Sequence, residues 1–218
     1  MDKYTATDQY LTTLFSLKDN ILDRVIDSIA EHQLDPHSIS PLQAQLLTQY
    51  AHLAQAKTIV EVGTLAGYSS IVMARALSNE GHLYTIDPDP LCCQVAQQNI
   101  ELAGLSDKVT VLQGTALEVL NNRLRELDKV DLFFMDGDKP NYVAYHQWAI
   151  ARMGTGKLII ADNVLREGAV LDKESTDAKV LGVRRYLEFL AQDHRSHHSI
   201  LPLAGEKGFD GMAISVVK

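Results

Sequence analysis

The chain has 218 residues, 46% of them hydrophobic, which suits one large α/β domain with a sizeable core. A formal net charge of −8 leaves no basic stripe to displace counterions, so nucleic acid is not an expected partner. Neither an export signal nor an apolar run approaching ~20 residues is evident, so the expectation is a cytoplasmic protein with no membrane partner.

Residues 1–35 have helical periodicity. Leu11, Leu14 and Phe15, then Leu22, Val25, Ile26 and Ile29, keep i, i+3, i+4, i+7 spacing. This segment precedes the first strand and the sheet does not need it, so within a single domain spanning 1–218 it is a lid or a dimer element. The stripe Leu22, Val25, Ile26, Ile29 favours a homodimer, because a wide apolar face must be buried on its own domain or on a partner. Ser40-Pro41-Leu42-Gln43 is a capping box with proline at the first helical position, starting a helix to about Ala54.

Strands and helices then alternate. Strands are expected at about 57–62, 82–86, 108–113, 130–135 and 156–161, with helices at about 67–79, 89–103, 115–127 and 140–152. This rhythm implies a parallel sheet with helices on both faces. A helix near 177–192 precedes two strands, about 198–203 and 211–217, joined by a glycine-rich connection that favours an antiparallel pair. The expected fold is a Rossmann-like seven-stranded, mostly parallel sheet with one antiparallel strand.

The first strand, Thr58-Ile59-Val60-Glu61-Val62, runs into a glycine-bearing turn, Gly63-Thr64-Leu65-Ala66-Gly67, and then a helix. Dinucleotide loops place glycine where Glu61 stands, so that backbone N–H groups approach a pyrophosphate. A carboxylate there repels phosphate and suits a cationic ligand, such as S-adenosylmethionine (SAM) with its ammonium and sulfonium groups. The next strand ends in Asp87, where a carboxylate accepts hydrogen bonds from ribose hydroxyls. Asp87 could instead be a turn former, but Asp89-Pro90 already supplies a helix cap and leaves Asp87 free. Cys92 and Cys93 are adjacent on one helix and read as small buried or half-buried residues, consistent with a reducing cytosol.

Two further strand ends carry oxygen donors: Asp136, then Asp162 with Asn163. If the fourth and fifth strands are neighbours, these side chains converge at the carboxyl edge of the sheet beside the nucleoside site. Two carboxylates and an amide oxygen suit a hard divalent cation, Mg²⁺ first, with Mn²⁺ or Ca²⁺ as alternatives. The same residues also read as ordinary turns and caps, and spacing does not separate the two. Lys139 sits on the turn above this set, where a neighbouring cation disfavours its charged form and tunes it toward a general base. Taken singly it reads equally as a solvated lysine. His194, His197 and His198 read as solvated loop residues, and Arg184 and Arg185 as acceptor or dimer contacts.

Four segments together resemble the cation-dependent class I O-methyltransferases, bacterial relatives of plant caffeoyl-CoA O-methyltransferases and animal catechol O-methyltransferase. They are Ser40-Pro41-Leu42-Gln43-Ala44-Gln45, Glu61-Val62-Gly63 through Gly67-Tyr68-Ser69, Asp136 through Tyr142, and Asp162-Asn163-Val164-Leu165, within a resemblance over residues 37–217. The resemblance implies that Glu61, Gly63 and Ser69 hold the methionine part of SAM, with Tyr68 and Ile39 beside it. Asp87 takes the ribose hydroxyls, and Asp136 and Asp138 border the cofactor. It also implies that Asp136, Asp162 and Asn163 bind the cation and that Lys139 deprotonates a hydroxyl of a catechol-like aromatic acceptor. Three positions depart from the family: Ala44 and Arg166 replace a usual glycine and a frequent tryptophan, and Gly137 a common alanine. A guanidinium at the pocket mouth would favour an acidic catechol or a phosphate-bearing acceptor; a solvent-facing Arg166 would not. The rival functions are a non-catalytic SAM-binding module and a nicotinamide-dependent oxidoreductase.

Overall fold

In the computed structural model, which describes residues 2–218, three helices precede the sheet: α1 (Lys3–Leu14), α2 (Asn20–Glu31) and α3 (Pro41–Leu53). Each start has a side-chain cap. Asp2 and Asp19 accept from the first free N–H groups of α1 and α2, and Ser40 with Gln43 forms the capping box of α3. The alternating part follows as β1 (Thr58–Val62), α4 (Tyr68–Arg75), β2 (His82–Asp87), α5 (Pro90–Leu102), β3 (Val109–Gln113) and α6 (Ala116–Asn122). It continues with β4 (Leu132–Met135), a short 3₁₀ turn at Lys139–Asn141, α7 (Tyr142–Ile150), β5 (Leu158–Ala161), a 3₁₀ segment at Arg166–Leu171 and α8 (Ala178–Gln192). The hairpin β6 (Ser196–Gly205) and β7 (Gly208–Val217) closes the fold.

The sheet order is β3-β2-β1-β4-β5-β7-β6, with β7 antiparallel to both its neighbours and every other pairing parallel. The sequence explains the two-sided burial. Leu132 and Phe134 of β4 point into one apolar layer, with Ile59 and Ile160, under α2 to α5. Phe133 and Met135 point into the other, with Val60 and Ile159, under α6 to α8. Consecutive apolar residues therefore serve both faces, and the polar strand tips are left at the carboxyl edge. Between β1 and β4, whose connections leave in opposite directions, that edge opens as a crevice.

Several sequence expectations are corrected. The N-terminal segment is two helices, broken at Ser16, which takes a left-handed φ of 52° before Asp19 caps α2. Leu22, Val25 and Ile29 are buried in this chain's own core, and Ile26 alone of that stripe is exposed. The amphipathic face offered as grounds for a dimer is thus spent internally. The terminal strands are longer than expected and meet across a two-residue turn, Glu206–Lys207, because Gly205 and Gly208 pair while Gly211 lies within β7. His197 and His198 belong to β6, and His198 bonds Ser215 and the Asp193 carbonyl, so it is not a solvated loop residue. α4 ends at Arg75 and α6 at Asn122, both short of expectation. Cys92 is buried, Cys93 half-buried, and both are free thiols. No helix among the described residues is long and apolar enough to cross a membrane.

Candidate active site

The turn after β1 is set by two glycines. Gly63 has φ +99°, and a Cβ there would lie 3.0 Å from the Gly137 nitrogen, so only glycine lets this turn pass the turn after β4. Gly67, at φ +85°, starts α4 without a side-chain cap. The N-terminal turn of α4 delivers Ser69 and Ser70 onto Glu61: the Ser69 hydroxyl donates to Oε1 at 2.5 Å and the Ser70 hydroxyl to Oε2. Glu61 is fully buried beneath the crevice. Burial, opposed by the two hydroxyls, raises its carboxyl to about 7. Its influence on a ligand above therefore passes through Ser69, which does border the crevice.

Asp87 is not idle at the tip of β2. One carboxylate oxygen accepts from the N–H groups of Thr64 and Leu65, each at 3.0 Å, and the other from that of Asp89. It braces the glycine turn and still has lone pairs for a further donor.

Two cavities meet at the carboxyl edge. The larger, about 610 Å³, is bordered by Gly63, Asp87, Thr115, Asp136, Asp138 and Lys179 among others. The smaller, about 310 Å³, is bordered by Asp8, Ile39, Gln43, Asp162, Lys207 and Asp210 among others. His37, Asp136, Asn163 and Arg166 border both. A narrow recess continues from the crevice past Ile39, Gly63, Tyr68, Ser69 and Asp136. Nine residues singled out from sequence, Ile39, Gly63, Tyr68, Ser69, Asp87, Asp136, Asp138, Asp162 and Asn163, thus border one connected space. Asp138 also accepts from Asn141 and from the Tyr145 hydroxyl, so part of its carboxylate holds the α7 start.

The donor set between the cavities holds positive charge. The Lys139 ammonium, 6% exposed, donates to Asp136 Oδ1 at 3.0 Å, to the Asp136 carbonyl at 3.2 Å and to Asn163 Oδ1 at 2.9 Å. Asp162 is more deeply buried still, and its carboxyl is pushed up to about 8, first by burial and then by the charge of Asp136. A buried carboxylate beside a half-buried one resists joint ionisation, and a nearby cation relieves the pair. Hard oxygen donors from Asp136, Asp162 and Asn163 fit a divalent metal. No group of three or more His, Cys, Asp or Glu side chains placed to hold a metal ion occurs among the described residues, so the donor set here is two carboxylates and the Asn163 amide oxygen.

Three residues of this site were not identified from sequence. Gln43 uses its oxygen to close the capping box and its Nε2 to donate to Asp162 at 3.3 Å. The Tyr142 hydroxyl, fully buried, lies 3.0 and 3.1 Å from the carbonyls of Met135 and Asp162, tying the ends of β4 and β5 together. Asp210 of β7 accepts from the N–H groups of Leu165, Arg166 and Gly211, fixing the loop after β5. The capping box was the one signal available for any of them. Three other expectations lie elsewhere. Ala44 faces a separate groove between α3 and α4, so its replacement of glycine does not touch the crevice. Arg184 holds the carbonyls of Asp172 and Lys173, and Arg185 is exposed; neither borders the two cavities.

Known proteins share this arrangement. A family model described as O-methyltransferase matches residues 13–215. A catechol O-methyltransferase of Niastella koreensis is 42% identical over 216 residues, covering 99% of this chain and 98% of that relative. The crystal structure of a putative O-methyltransferase from Klebsiella pneumoniae superposes with a TM-score of 0.96 at 40% identity, covering 99% of this chain and 98% of that one. The O-methyltransferase from Bacillus cereus, crystallised in complex with SAH, gives a TM-score of 0.95 at 39% identity with the same coverage.

Proposed function

Since the chain belongs to the O-methyltransferase family and is a SAM-dependent O-methyltransferase, we propose that its acceptor is a catechol-like aromatic held on a divalent cation. The observation that carries this reading is the convergence of Asp136 and Asn163 on the Lys139 ammonium, with Asp162 next to Asn163 at the end of the neighbouring strand. The catechol name of the Niastella relative agrees with it.

The residues divide the work. Ser69, Gly63 and Tyr68 receive the methionine end of SAM, and Asp87 the ribose hydroxyls, while Glu61 supplies negative charge from below. When bound, SAM supplies an electrophilic methyl group, and a cation at Asp136, Asp162 and Asn163 favours the ionised acceptor hydroxyl. Lys139, beside Asp136 and Asn163, is the group placed to take the proton from that hydroxyl. Holding the acceptor in the smaller cavity and SAM in the larger sets the two reactants across the wall that both cavities share, and this orientation supplies much of the rate. Mg²⁺ is the expected cation. The two free thiols accord with a cytoplasmic setting. A homodimer is retained as a proposal, read by light scattering at micromolar concentration, with a monomeric mass against it.

The test is methyl transfer from labelled SAM to catechol and to 3,4-dihydroxybenzoate. Activity should vanish with chelator and return with Mg²⁺. Turnover indifferent to chelator would reject the cation, and methylation of monophenols as readily as catechols would reject the acceptor class.

A further inference from the structure

Of the four residues that border both cavities, Asp136 and Asn163 belong to the reading above, and of the other two, His37 and Arg166, only Arg166 carries a permanent charge. Its backbone is held in an unfavourable conformation: Arg166 and Glu167 take left-handed φ of 51° and 55° before Gly168. Such non-glycine positions are costly and persist where the surroundings impose them. Asp210 imposes this one, accepting from the N–H groups of Leu165 and Arg166 at 2.9 Å each.

The side chain so positioned lacks a counter-ion. Arg24, Arg75, Arg125 and Arg195 each pair with a carboxylate; Arg166 is among the five arginines that pair with none among the described residues, and of those five it alone borders both cavities. Its Nε is closed off from solvent and has no acceptor. Arg166 as a whole is half-buried, but its enclosed Nε–H is a charged donor without an acceptor, which is unfavourable unless a ligand supplies one. The neighbouring carboxylates are engaged: Asp8 by the Glu206 N–H, Asp210 by three N–H groups, Asp136 by Lys139, and Asp162 by Asn163 and Gln43. Glu167, solvent-exposed, is the remaining one on the smaller cavity, which Lys207 also borders.

We propose that Arg166 is a specificity-determining residue that pairs with a carboxylate carried on the acceptor ring, so that the preferred acceptor is an acidic catechol. The proposal rests on the catechol reading. A guanidinium presents paired N–H donors that match a carboxylate, and it stays charged at any relevant pH. Bound through its two hydroxyls at Asp162 and Asn163, the ring remains in the cavity that Arg166 borders, and its acidic group meets the unpaired charge.

The test uses one skeleton in three charge states: 3,4-dihydroxybenzoate, its methyl ester and 3,4-dihydroxybenzylamine, with wild type, Arg166→Gln and Arg166→Glu. In the wild type, kcat/KM should favour the acid over the ester by about tenfold, within the range of a charge-assisted pair. Arg166→Gln should bring that ratio near one, chiefly through KM, and Arg166→Glu should move the preference to the amine. Equal wild-type use of acid and ester, or losses in Arg166→Gln that are alike for all three acceptors, would overturn the proposal. Calorimetry of 3,4-dihydroxybenzoate with SAH and Mg²⁺ present separates the two readings. If no catechol is methylated yet the acid binds and Arg166→Gln weakens that binding about tenfold, the acceptor reading fails and the role of Arg166 stands. Binding indifferent to Arg166→Gln overturns it.

Discussion

Lys139 carries the sharpest consequence at the scale of single residues. Its ammonium lies between two of the oxygens assigned to the cation, Asp136 Oδ1 and Asn163 Oδ1, so the site already binds one positive charge of its own. If it is the base, Lys139→Ala should lower kcat by about 10²-fold or more, within the usual range for a positioned acid–base group. Lys139→Arg should rescue poorly, because a guanidinium does not give up its proton. Near-native turnover in Lys139→Arg would make the residue a neutralising group and leave proton removal to the cation. The residues legible in the sequence were those at strand tips: Asp87, Asp136, Asp162 and Asn163 each follow an apolar run and so reach the carboxyl edge. Gln43, Tyr142 and Asp210 were not legible in these roles, because each acts across the fold; Gln43 meets a partner 119 residues away. Glu61 was placed correctly along the chain, but its depth was not. Only the packing of α4 shows that Ser69 and Ser70 stand between it and the crevice.

At the scale of elements, α7, α8 and the terminal hairpin meet around His146, which is fully buried. Its Nδ1 lies 3.0 Å from the Tyr186 hydroxyl, its Nε2 faces Asp193 at 3.5 Å, and Phe189 and His198 pack against the ring. Burial lowers its pKa to about 4, the charge of Asp193 opposing that shift in part. The unfolded chain, with histidine near 6.5, binds the proton first, so stability should fall as pH drops from 6.5 toward 4, by on the order of 3 kcal/mol. Asp193, lowered to about 2 chiefly by its bond from Arg195, weakens the fold only below about 3.8, outside that window. Glu61 and Asp162 have raised values and act in the opposite sense, favouring the fold at low pH. The measurement is therefore a difference: denaturant unfolding from pH 7 to 4 for wild type and His146→Gln. The variant should lose the decline assigned to His146; parallel curves would contradict the assignment. This junction was invisible in the sequence, where His198 read as a loop residue and the strands of the hairpin were cut short by Gly205, Gly208 and Gly211. Two of those glycines flank the turn and the third packs inside β7, against Leu165 and the Leu201 carbonyl. The parallel core was legible because apolar runs alternate with helical segments along the chain, although only α5 and α8 among the helices after β1 start on a side-chain cap.

For the whole molecule, the account sets two separable half-sites on one sheet edge. In the proposed function the cofactor half would be built from the ends of β1 and β2, and the cation half from the ends of β4 and β5 with Gln43 of α3. They meet at the turn where Gly63 passes Gly137, and at Asp136, which borders every cavity of the crevice. The sheet order follows from right-handed crossovers, which bring β1 and β4 together and open the crevice between them. The apolar face of α2, by contrast, did not lead outward as the sequence suggested. Burying Leu22, Val25 and Ile29 on the chain's own helices satisfies the same hydrophobic demand that a partner would. The claim that joins these observations is that catalysis requires a cation held by one half beside a cofactor held by the other. Calorimetry of Mn²⁺ and, separately, of SAH with wild type and Asp162→Ala tests it most directly. The account predicts that Asp162→Ala loses Mn²⁺ binding while SAH binding stays within severalfold of wild type, because Asp162 lies on β5, across β4 from the cofactor turn. Unchanged Mn²⁺ affinity, or loss of SAH binding in the variant with metal absent from both proteins, would contradict it.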